Sequence, residues 1–174
     1  VFVSAMLEVA RQFSQKFRFH LVGTGALEKK LRKQIANSKF KNCFDMTSRL
    51  ENSSVPKFLE STDIYISLNK YGNLSNANLE AMAAGCCIIL PPSQQTTGID
   101  LVTDQILDPL SVHRLKDATN YQELAQAVID LANSPETRKE MSKNVLRIAS
   151  GLLNWQERID FEFDELVKLR ASDG

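Results

Sequence analysis

The stretch that decides the fold lies at residues 63–90, which read DIYISLNKYGNLSNANLEAMAAGCCIIL. Its first part, residues 63–68, is rich in β-branched and aromatic residues and predicts a strand. Residues 79–84 predict a helix, which Gly85 ends. The apolar run at residues 86–90 predicts a second strand. A strand, a helix and a strand in this order predict a parallel pair with a right-handed crossover.

The same alternation extends toward the N-terminus. The predicted elements there are a helix with an apolar stripe at Phe2, Ala5, Met6, Val9 and Phe13, a strand at residues 17–22, a helix carrying Leu27, Leu31 and Ile35, a strand at residues 43–46 and a helix that starts near Pro56. Strands that alternate with helices predict an α/β fold, in which a parallel sheet has helices on both faces.

Beyond Gly98 the predicted elements are mostly helical. Short strands are predicted at residues 105–107 and 112–115, and helices follow that begin at an Asn120–Glu123 capping box, at Ser134-Pro135 and at an Asn154–Glu157 cap. The last helix is predicted to be buried through Trp155, Ile159, Phe163 and Leu166. No linker interrupts the pattern, so we expect one domain over residues 1–174, truncated at its N-terminus, with closing helices at about residues 120–170.

Composition excludes several classes of protein. The 21 basic residues balance the 21 acidic ones, whereas a nucleic-acid binder needs a cationic excess. The chain is 43% apolar, too much for a disordered chain, and its longest apolar run, at residues 81–90, is about half of a bilayer span. Three cysteines, with Cys86 and Cys87 adjacent, are typical of reduced thiols. We therefore expect a soluble cytoplasmic domain without nucleic-acid partners.

Two loops follow predicted strands, where parallel α/β sheets bind ligands. The first, Gly23-Thr24-Gly25, either contacts a ligand or is a plain tight turn. Glu28 stands where the dinucleotide pattern needs a third small residue, which disfavours a nicotinamide-binding domain.

The second loop precedes the helix that carries Glu80. Asn73, Ser75 and Asn76 are all suitable N-caps, and the free N–H groups of a first helical turn favour an anion. Helical side chains lean toward the N-terminus, so the Glu80 carboxylate is expected to point at whatever the loop holds. The simpler interpretation is that Glu80 only complements the helix dipole.

The run NLEAMAAGCCII at residues 78–89 resembles the C-terminal, nucleotide-sugar-binding domain of glycosyltransferase family 4 and its relatives of the two-Rossmann-domain (GT-B) architecture. FRFHLVGTGALEKKL at residues 17–31 resembles the strand, turn and helix of that family, and STDIYISL at residues 61–68 resembles another of its strands. Residues 123–144 and 154–166 resemble its closing helices. The resemblance covers nearly the whole chain and implies a Rossmann-like fold.

The resemblance also implies roles for particular residues. It implies that Glu80 accepts hydrogen bonds from the nucleotide ribose, that Gly23 flanks the same cleft, and that Arg49 and Leu50 lie where nucleobase contacts occur. The donor-binding loop that it implies comprises Gly72, Asn73, Leu74, Ser75 and Asn76, whose backbone amides face the diphosphate and the donor sugar.

The function implied is donor binding in a retaining, metal-independent glycosyltransferase. Such an enzyme transfers a hexose from a UDP-sugar or GDP-sugar to a glycan or lipid-linked acceptor, and the acceptor binds a separate N-terminal domain that is missing here. The resemblance implies no cofactor, and we expect this fragment alone to be inactive. The basic residues between Lys29 and Lys41 are expected to form a solvated helix face, with peripheral contact to the inner membrane surface as the alternative.

Three departures from the family pattern support a different function. Gly72 stands where the family has a second carboxylate, and the first strand with its basic pair belongs before Val1. The acceptor domain is absent as well. The alternative is a catalytically silent interaction domain derived from a glycosyltransferase. Neither histidine is expected to act in catalysis, since His20 lies within an apolar strand and is predicted to be packed in the core, and His113 has no partner pattern.

Overall fold

Helices alternate with short parallel strands along the chain. The computed structural model describes residues 1–13, 17–69, 73–91, 102–152 and 155–172. Its helices are α1 (Phe2–Phe13), α2 (Glu28–Ala36), α3 (Val55–Glu60), α4 (Asn76–Ala83), α5 (Val102–Ile106), α6 (Tyr121–Asn133), α7 (Pro135–Leu152) and α8 (Trp155–Ser172). Its strands are β1 (Phe19–Val22), β2 (Phe44–Thr47), β3 (Ile64–Ile66), β4 (Cys87–Leu90) and β5 (Val112–Arg114).

The strands form two parallel sheets within the described residues, whereas the sequence predicted one. In the first sheet β1 pairs with β2, and Phe19 lies opposite Phe44. In the second sheet β4 lies between β3 and β5, with Ile64 opposite Cys87 and Ile88 opposite Val112. The predictions of parallel pairing and of helices on both faces are confirmed.

Two apolar clusters lie on opposite faces of β4. Cys87 and Ile89 belong to the cluster beneath α1 and α6, which also holds residues of β1 and β2. Ile88 and Leu90 belong to the cluster beneath α4 and part of α7. Because successive side chains of a strand point to opposite faces, β4 is buried on both sides and consists of apolar residues throughout. This is the burial expected of a central parallel strand.

Gly85 ends α4 in the way that the sequence predicted. Its φ is +74°, and its N–H donates to the carbonyl of Met82 while the next N–H, of Cys86, donates to Ala81. These two bonds form a Schellman cap, which satisfies carbonyls at the end of the helix. The chain therefore turns directly from α4 into β4.

Three predictions about local structure are wrong. Residues 105–107, predicted as a strand, lie in or next to α5, because an apolar run of three residues does not distinguish a strand from a helix. The His20 side chain is 42% exposed, since it lies on the less covered face of a two-stranded sheet. Asn120 caps α6 as predicted, because its Oδ1 accepts from the N–H groups of Gln122 and Glu123. The predicted return bond of the capping box is wrong, since the Glu123 carboxylate accepts from the N–H groups of Lys116 and Asp117 instead.

The closing helix α8 forms where predicted, but it is not buried as predicted. Ile159 is 53% exposed and Phe163 is 65% exposed. The side chains of Trp155 and Leu166, and the predicted cap at Asn154, lie outside the described residues. None of the described helices combines the length and the apolar character needed to cross a membrane.

Candidate functional site

The predicted site residues follow the carboxyl ends of three strands. Gly23 follows β1, Arg49 and Leu50 follow β2, and residues 73–76 lead from β3 into α4. Parallel strands of one sheet end at the same edge, so Gly23, Arg49 and Leu50 follow the carboxyl edge of the first sheet, and residues 73–76 follow that of the second. Gly72 lies outside the described residues.

Gly23 is needed for its backbone conformation. Its φ is +137°, which side chains rarely adopt, and no heavy atom lies within 4 Å of the position that a Cβ would take. Its N–H donates to the carbonyl of Thr47 at 2.9 Å. The turn is thereby tied to the end of β2, and the space beside it is open.

Of the three predicted N-cap candidates, Asn73, Ser75 and Asn76, the residue that caps α4 is Ser75. Its hydroxyl accepts a hydrogen bond from the Asn78 N–H at 3.3 Å, and its carbonyl accepts one from the Leu79 N–H. The N–H groups of Asn76 and Ala77 have no recorded acceptor within the described part of the chain. These two amides begin the helix and favour an anion.

Asn78 is a site residue that the sequence analysis missed. It is 0% exposed, and its Nδ2 donates to the carbonyl of Asn73 at 2.8 Å. Its Oδ1 is buried, and no described residue donates to it. Asn69 donates to the side-chain oxygen of Asn73, so Asn73 is held at two points. The local sequence carried no signal for it, because Asn76 lies in the same short helix and is exposed.

Helix α5 holds the same loop from its other side. The Thr103 hydroxyl, which is 0% exposed, accepts a hydrogen bond from the Leu74 N–H at 3.1 Å. The amide of Leu74 is therefore engaged within the protein. The sequence analysis missed Thr103 because it placed a strand close to this segment.

An ion pair attaches α5 to the second sheet. Arg114 Nη2 lies 2.6 Å from Asp104 Oδ1, and Arg114 Nη1 donates to the carbonyl of Pro91 at 3.0 Å. Burial lowers the pKa of Arg114, and the neighbouring Asp104 charge opposes that shift. The pair fixes α5, and thereby Thr103, against β4 and β5.

Glu80 lies one turn into α4 and is exposed. Burial raises the pKa of Tyr65 on β3, and the Glu80 charge raises it further. The Glu80 charge is therefore close enough to act on the Tyr65 hydroxyl. The buried residues of α4 are Asn78, Ala81 and Met82, whereas Ala83 is exposed. Glu80 thus borders the buried face of the helix.

Arg49 is exposed and Leu50 is half-buried. In the same sheet, His20 of β1 has its Nδ1 3.6 Å from Asp45 Oδ2 of β2. Within the described residues no three His, Cys, Asp or Glu side chains form a group that could hold a metal ion. A cleft of about 360 Å³ lies elsewhere, lined by Leu110, His113 and Met141 among others. It lies at the start of β5 and therefore at the opposite edge of the sheet.

Residues 1–147 match the family described as Glycosyl transferases group 1. The chain belongs to this family. The family predicted from residues 78–89 is thereby confirmed. No curated protein matches the chain.

Solved glycosyltransferase structures share the fold of this family member at low sequence identity. TarM superposes with a TM-score of 0.74 at 15% identity, over 94% of this chain and 31% of TarM. HepE from Anabaena has a TM-score of 0.74 at 15% identity, over 95% of this chain and 43% of HepE. The C-terminal domain of LpcC from Francisella tularensis has a TM-score of 0.66 at 15% identity, over 84% of this chain and 76% of that domain.

The chain thus spans less than half of TarM and HepE and most of the length of an isolated C-terminal domain. The predicted Rossmann-like α/β fold is confirmed by these superpositions. The roles predicted for Glu80, Gly23, Arg49, Leu50 and residues 72–76 are not tested by them and stay predictions.

Proposed function

We propose that this chain is the donor-binding part of a glycosyltransferase and holds a UDP-sugar or GDP-sugar at the carboxyl edge of its strands. The observation that carries the proposal is the position of Glu80, exposed to solvent one turn behind the open N–H groups of Asn76 and Ala77 at the start of α4. TarM and HepE are much longer than this chain, so the acceptor, a glycan or a lipid-linked sugar, would bind a separate domain.

The Glu80 carboxylate is suited to hold hydroxyl groups. The Glu80 carboxylate is exposed and therefore accessible to a ligand, and hydrogen bonds to a charged group are stronger than neutral ones. The two hydroxyls of a ribose would supply such donors. In this arrangement Glu80 positions the nucleotide and does not take part in bond breaking.

The amides of Asn76 and Ala77 would face the diphosphate. When the bond between the sugar and the diphosphate breaks, negative charge grows on the leaving oxygen. Amides that already point at this position stabilise the transition state more than the bound donor. This arrangement supports departure of the diphosphate without a metal ion. We propose retention, and a hexose as the transferred group, from the family resemblance.

The remaining predicted contacts complete the site. Arg49 and Leu50 at the end of β2 would meet the nucleobase, and the open space at Gly23 would leave room for the phosphates. HepE was solved in complex with UDP and in complex with UDP and glucose, and the O-GlcNAc transferase GtfA in complex with UDP and GlcNAc. These ligands support a nucleotide-sugar as the donor.

The experiment is an NMR titration of the chain with UDP, GDP, uridine and inorganic pyrophosphate. We expect weak binding by the isolated chain, with shifts at the amides of Asn76, Ala77 and Glu80. Glu80→Gln should weaken UDP and uridine binding by about 10-fold or more, since a hydrogen bond to a charged group contributes about 1.5–3 kcal/mol. Pyrophosphate binding should be unchanged or slightly stronger, because the variant removes a negative charge.

The matched control is Glu60→Gln, an exposed glutamate at the end of α3, which should leave all four titrations unchanged. Gly72, in place of an acid, favours the alternative of a catalytically silent interaction domain. If no nucleotide or uridine shifts the amides of residues 73–80, and Glu80→Gln changes nothing, the donor site is refuted and the alternative is favoured.

A further inference from the structure

The cleft of about 360 Å³ at the start of β5 lies at the edge of the second sheet opposite the proposed donor site. Three segments form its walls: the turn before β5 with the strand itself, the end of α6, and the first turns of α7. A volume of about 300–1,000 Å³ is usual for a cleft that binds a ligand. Donor binding as proposed above does not use this cleft.

The base of the cleft is apolar, and its rim carries an exposed leucine. Val112 of β5, Leu131 of α6 and Met141 of α7 line it and are buried, whereas Leu110 at the rim is 61% exposed. A single exposed leucine is ordinary on a protein surface, but one that is continuous with an apolar cleft indicates an interaction surface.

The turn that carries Leu110 is held by hydrogen bonds on both sides of this residue. The Leu110 N–H donates to Asp108 Oδ1 at 3.0 Å, and its carbonyl accepts from Asn144 Nδ2 of α7 at 3.2 Å. The Ser111 N–H and hydroxyl both donate to the Asp108 carbonyl. The backbone at the rim is therefore ordered before a partner arrives, which lowers the entropy cost of binding.

The charged side chains that line the cleft are acidic. Asp130 of α6 and Glu140 of α7 line it, and no lysine or arginine is among its described lining residues. Asp130 accepts a hydrogen bond from Gln126, but neither carboxylate has an ion-pair partner in the part of the chain that the structure describes. Arg138, near both in sequence, donates to the carbonyl of Ala132 at 2.9 Å. The cleft therefore combines an apolar base with two carboxylates that no described cation neutralises.

We propose that this cleft binds a segment of a partner protein in which bulky apolar side chains are flanked by lysine or arginine. The apolar side chains would fill the base between Val112, Leu131 and Met141 and cover Leu110. Because the two carboxylates belong to different walls, on α6 and α7, they would attract cations on both sides of the apolar anchor. A lone amine offers one cation, so the arrangement favours a peptide segment. This proposal does not depend on the donor site.

The test is an NMR titration of the chain with a short blocked peptide of sequence GKLLKG. We expect shifts at the amides of Leu110, Val112, Leu131 and Met141. A peptide with serine in place of both leucines should bind about tenfold or more weakly, because it lacks the apolar anchor. Hexylamine, which has an apolar chain but one cation, should bind about threefold or more weakly than GKLLKG.

Two sets of variants separate the contribution of the anchor from that of the charges. Leu110→Ser should weaken peptide binding by about fivefold or more, whereas Leu27→Ser, at a leucine of matched exposure at the start of α2, should not change it. The double variant Asp130→Asn, Glu140→Gln should weaken binding by about threefold or more and reduce its dependence on salt. Glu60→Gln, at an exposed acid on α3, should leave both unchanged.

Circular dichroism of each variant shows that a loss of binding is not a loss of fold. The proposal is overturned if about 1 mM peptide shifts none of the four amides, or if the acidic double variant binds the peptide as tightly as the original chain. It is also overturned if hexylamine binds as tightly as the peptide, which indicates a small-molecule site. Shifts of the same amides with protein concentration alone would overturn it as well, because they indicate a second copy in the cleft.

Discussion

At the scale of single residues, the fold requires glycine at one position of this chain and has room for a side chain at another. Gly85 has a φ of +74°, and a Cβ there would lie 3.0 Å from Ser142 Oγ and 3.1 Å from Leu146 Cδ1. Gly151 lies in α7, and no heavy atom lies within 4 Å of the position of its Cβ. The chain therefore contains one glycine that the fold requires and one that it does not.

Gly85→Ala is expected to lower the free energy of unfolding by about 2 kcal/mol or more. The left-handed conformation costs an alanine about 1–2 kcal/mol, and the contacts with α7 add to this. Gly151→Ala is expected to raise the free energy of unfolding by roughly 0.5–1 kcal/mol, because alanine favours a helix. Urea denaturation measures both. Equal effects of the two substitutions would contradict this account of the Schellman cap.

The sequence around Glu80 was sufficient to predict it as a site residue, whereas the sequence around Asn78 was not. Glu80 was selected from its spacing after a polar loop and from the family resemblance. Asn78, two residues earlier, is buried and holds Asn73, but nothing in the local pattern distinguishes it from Asn76, which is exposed. Which asparagine turns inward depends on the packing of α4 against its neighbours.

At the scale of elements, the turn from α4 into β4 places Cys86 and Cys87 in different surroundings. The Cys86 thiol donates to the carbonyl of Leu59, and the Cys87 thiol donates to the carbonyl of Arg138 on α7. Burial raises the pKa of each thiol to about 11, and the neighbouring Cys87 adds to the effect at Cys86. Both thiols are therefore neutral in the folded protein over the physiological pH range, as expected for small core residues.

Stability is expected to fall as the pH rises from about 8.5, the usual pKa of a thiol in an unfolded chain, to about 11. In this window the unfolded state loses its thiol protons and the folded state retains them, so alkali favours unfolding. Urea denaturation at pH 8 and pH 10 measures the effect. The loss should be roughly 3–4 kcal/mol smaller in a Cys86→Ala, Cys87→Ala double variant, since each of the two thiols contributes about half of it. Equal losses would contradict the burial of the thiols.

Helices α5 and α8 show that the sequence pattern of an element does not always predict its type or its burial. The strand predicted at residues 105–107 is wrong because α5 is held from outside, through Thr103 and the Asp104–Arg114 pair. The periodicity of α8 correctly predicted a helix but not its burial, since Phe161 and Phe163 are 64% and 65% exposed. A periodic apolar face indicates a helix, but it does not show what covers that face.

At the scale of the whole molecule, one apolar cluster joins two sheets that share no backbone pairing within the described residues. Phe19 and Phe44 of the first sheet and Ile89 of the second all belong to it, and Met6 of α1 lies among them at 1% exposure. Cooperative unfolding of the two sheets therefore depends on side-chain packing beneath α1 and α6.

Met6→Ala is expected to lower the free energy of unfolding by about 2–5 kcal/mol, the usual cost of emptying a large buried position. NMR signals of Leu21 in β1 and Ile89 in β4, followed through a urea titration, should shift to the same lower midpoint. Leu27→Ala is the matched control, because Leu27 is 62% exposed and its removal should cost less than about 0.5 kcal/mol. Separate midpoints for the two strands would show that the cluster does not couple the sheets.

The sequence alone determined the order of strands and helices around residues 63–90, the end of α4 at Gly85, the parallel pairing and the family. These features depend on local periodicity, on the conformational freedom of glycine and on a motif within one short stretch. Only the tertiary structure decided that the strands form two sheets, that His20 and the α8 phenylalanines are exposed, and that Thr103 and Asn78 hold the loop before Glu80. Those features depend on contacts between residues far apart in the chain. The local sequence around one residue of such a contact does not determine which residue it meets.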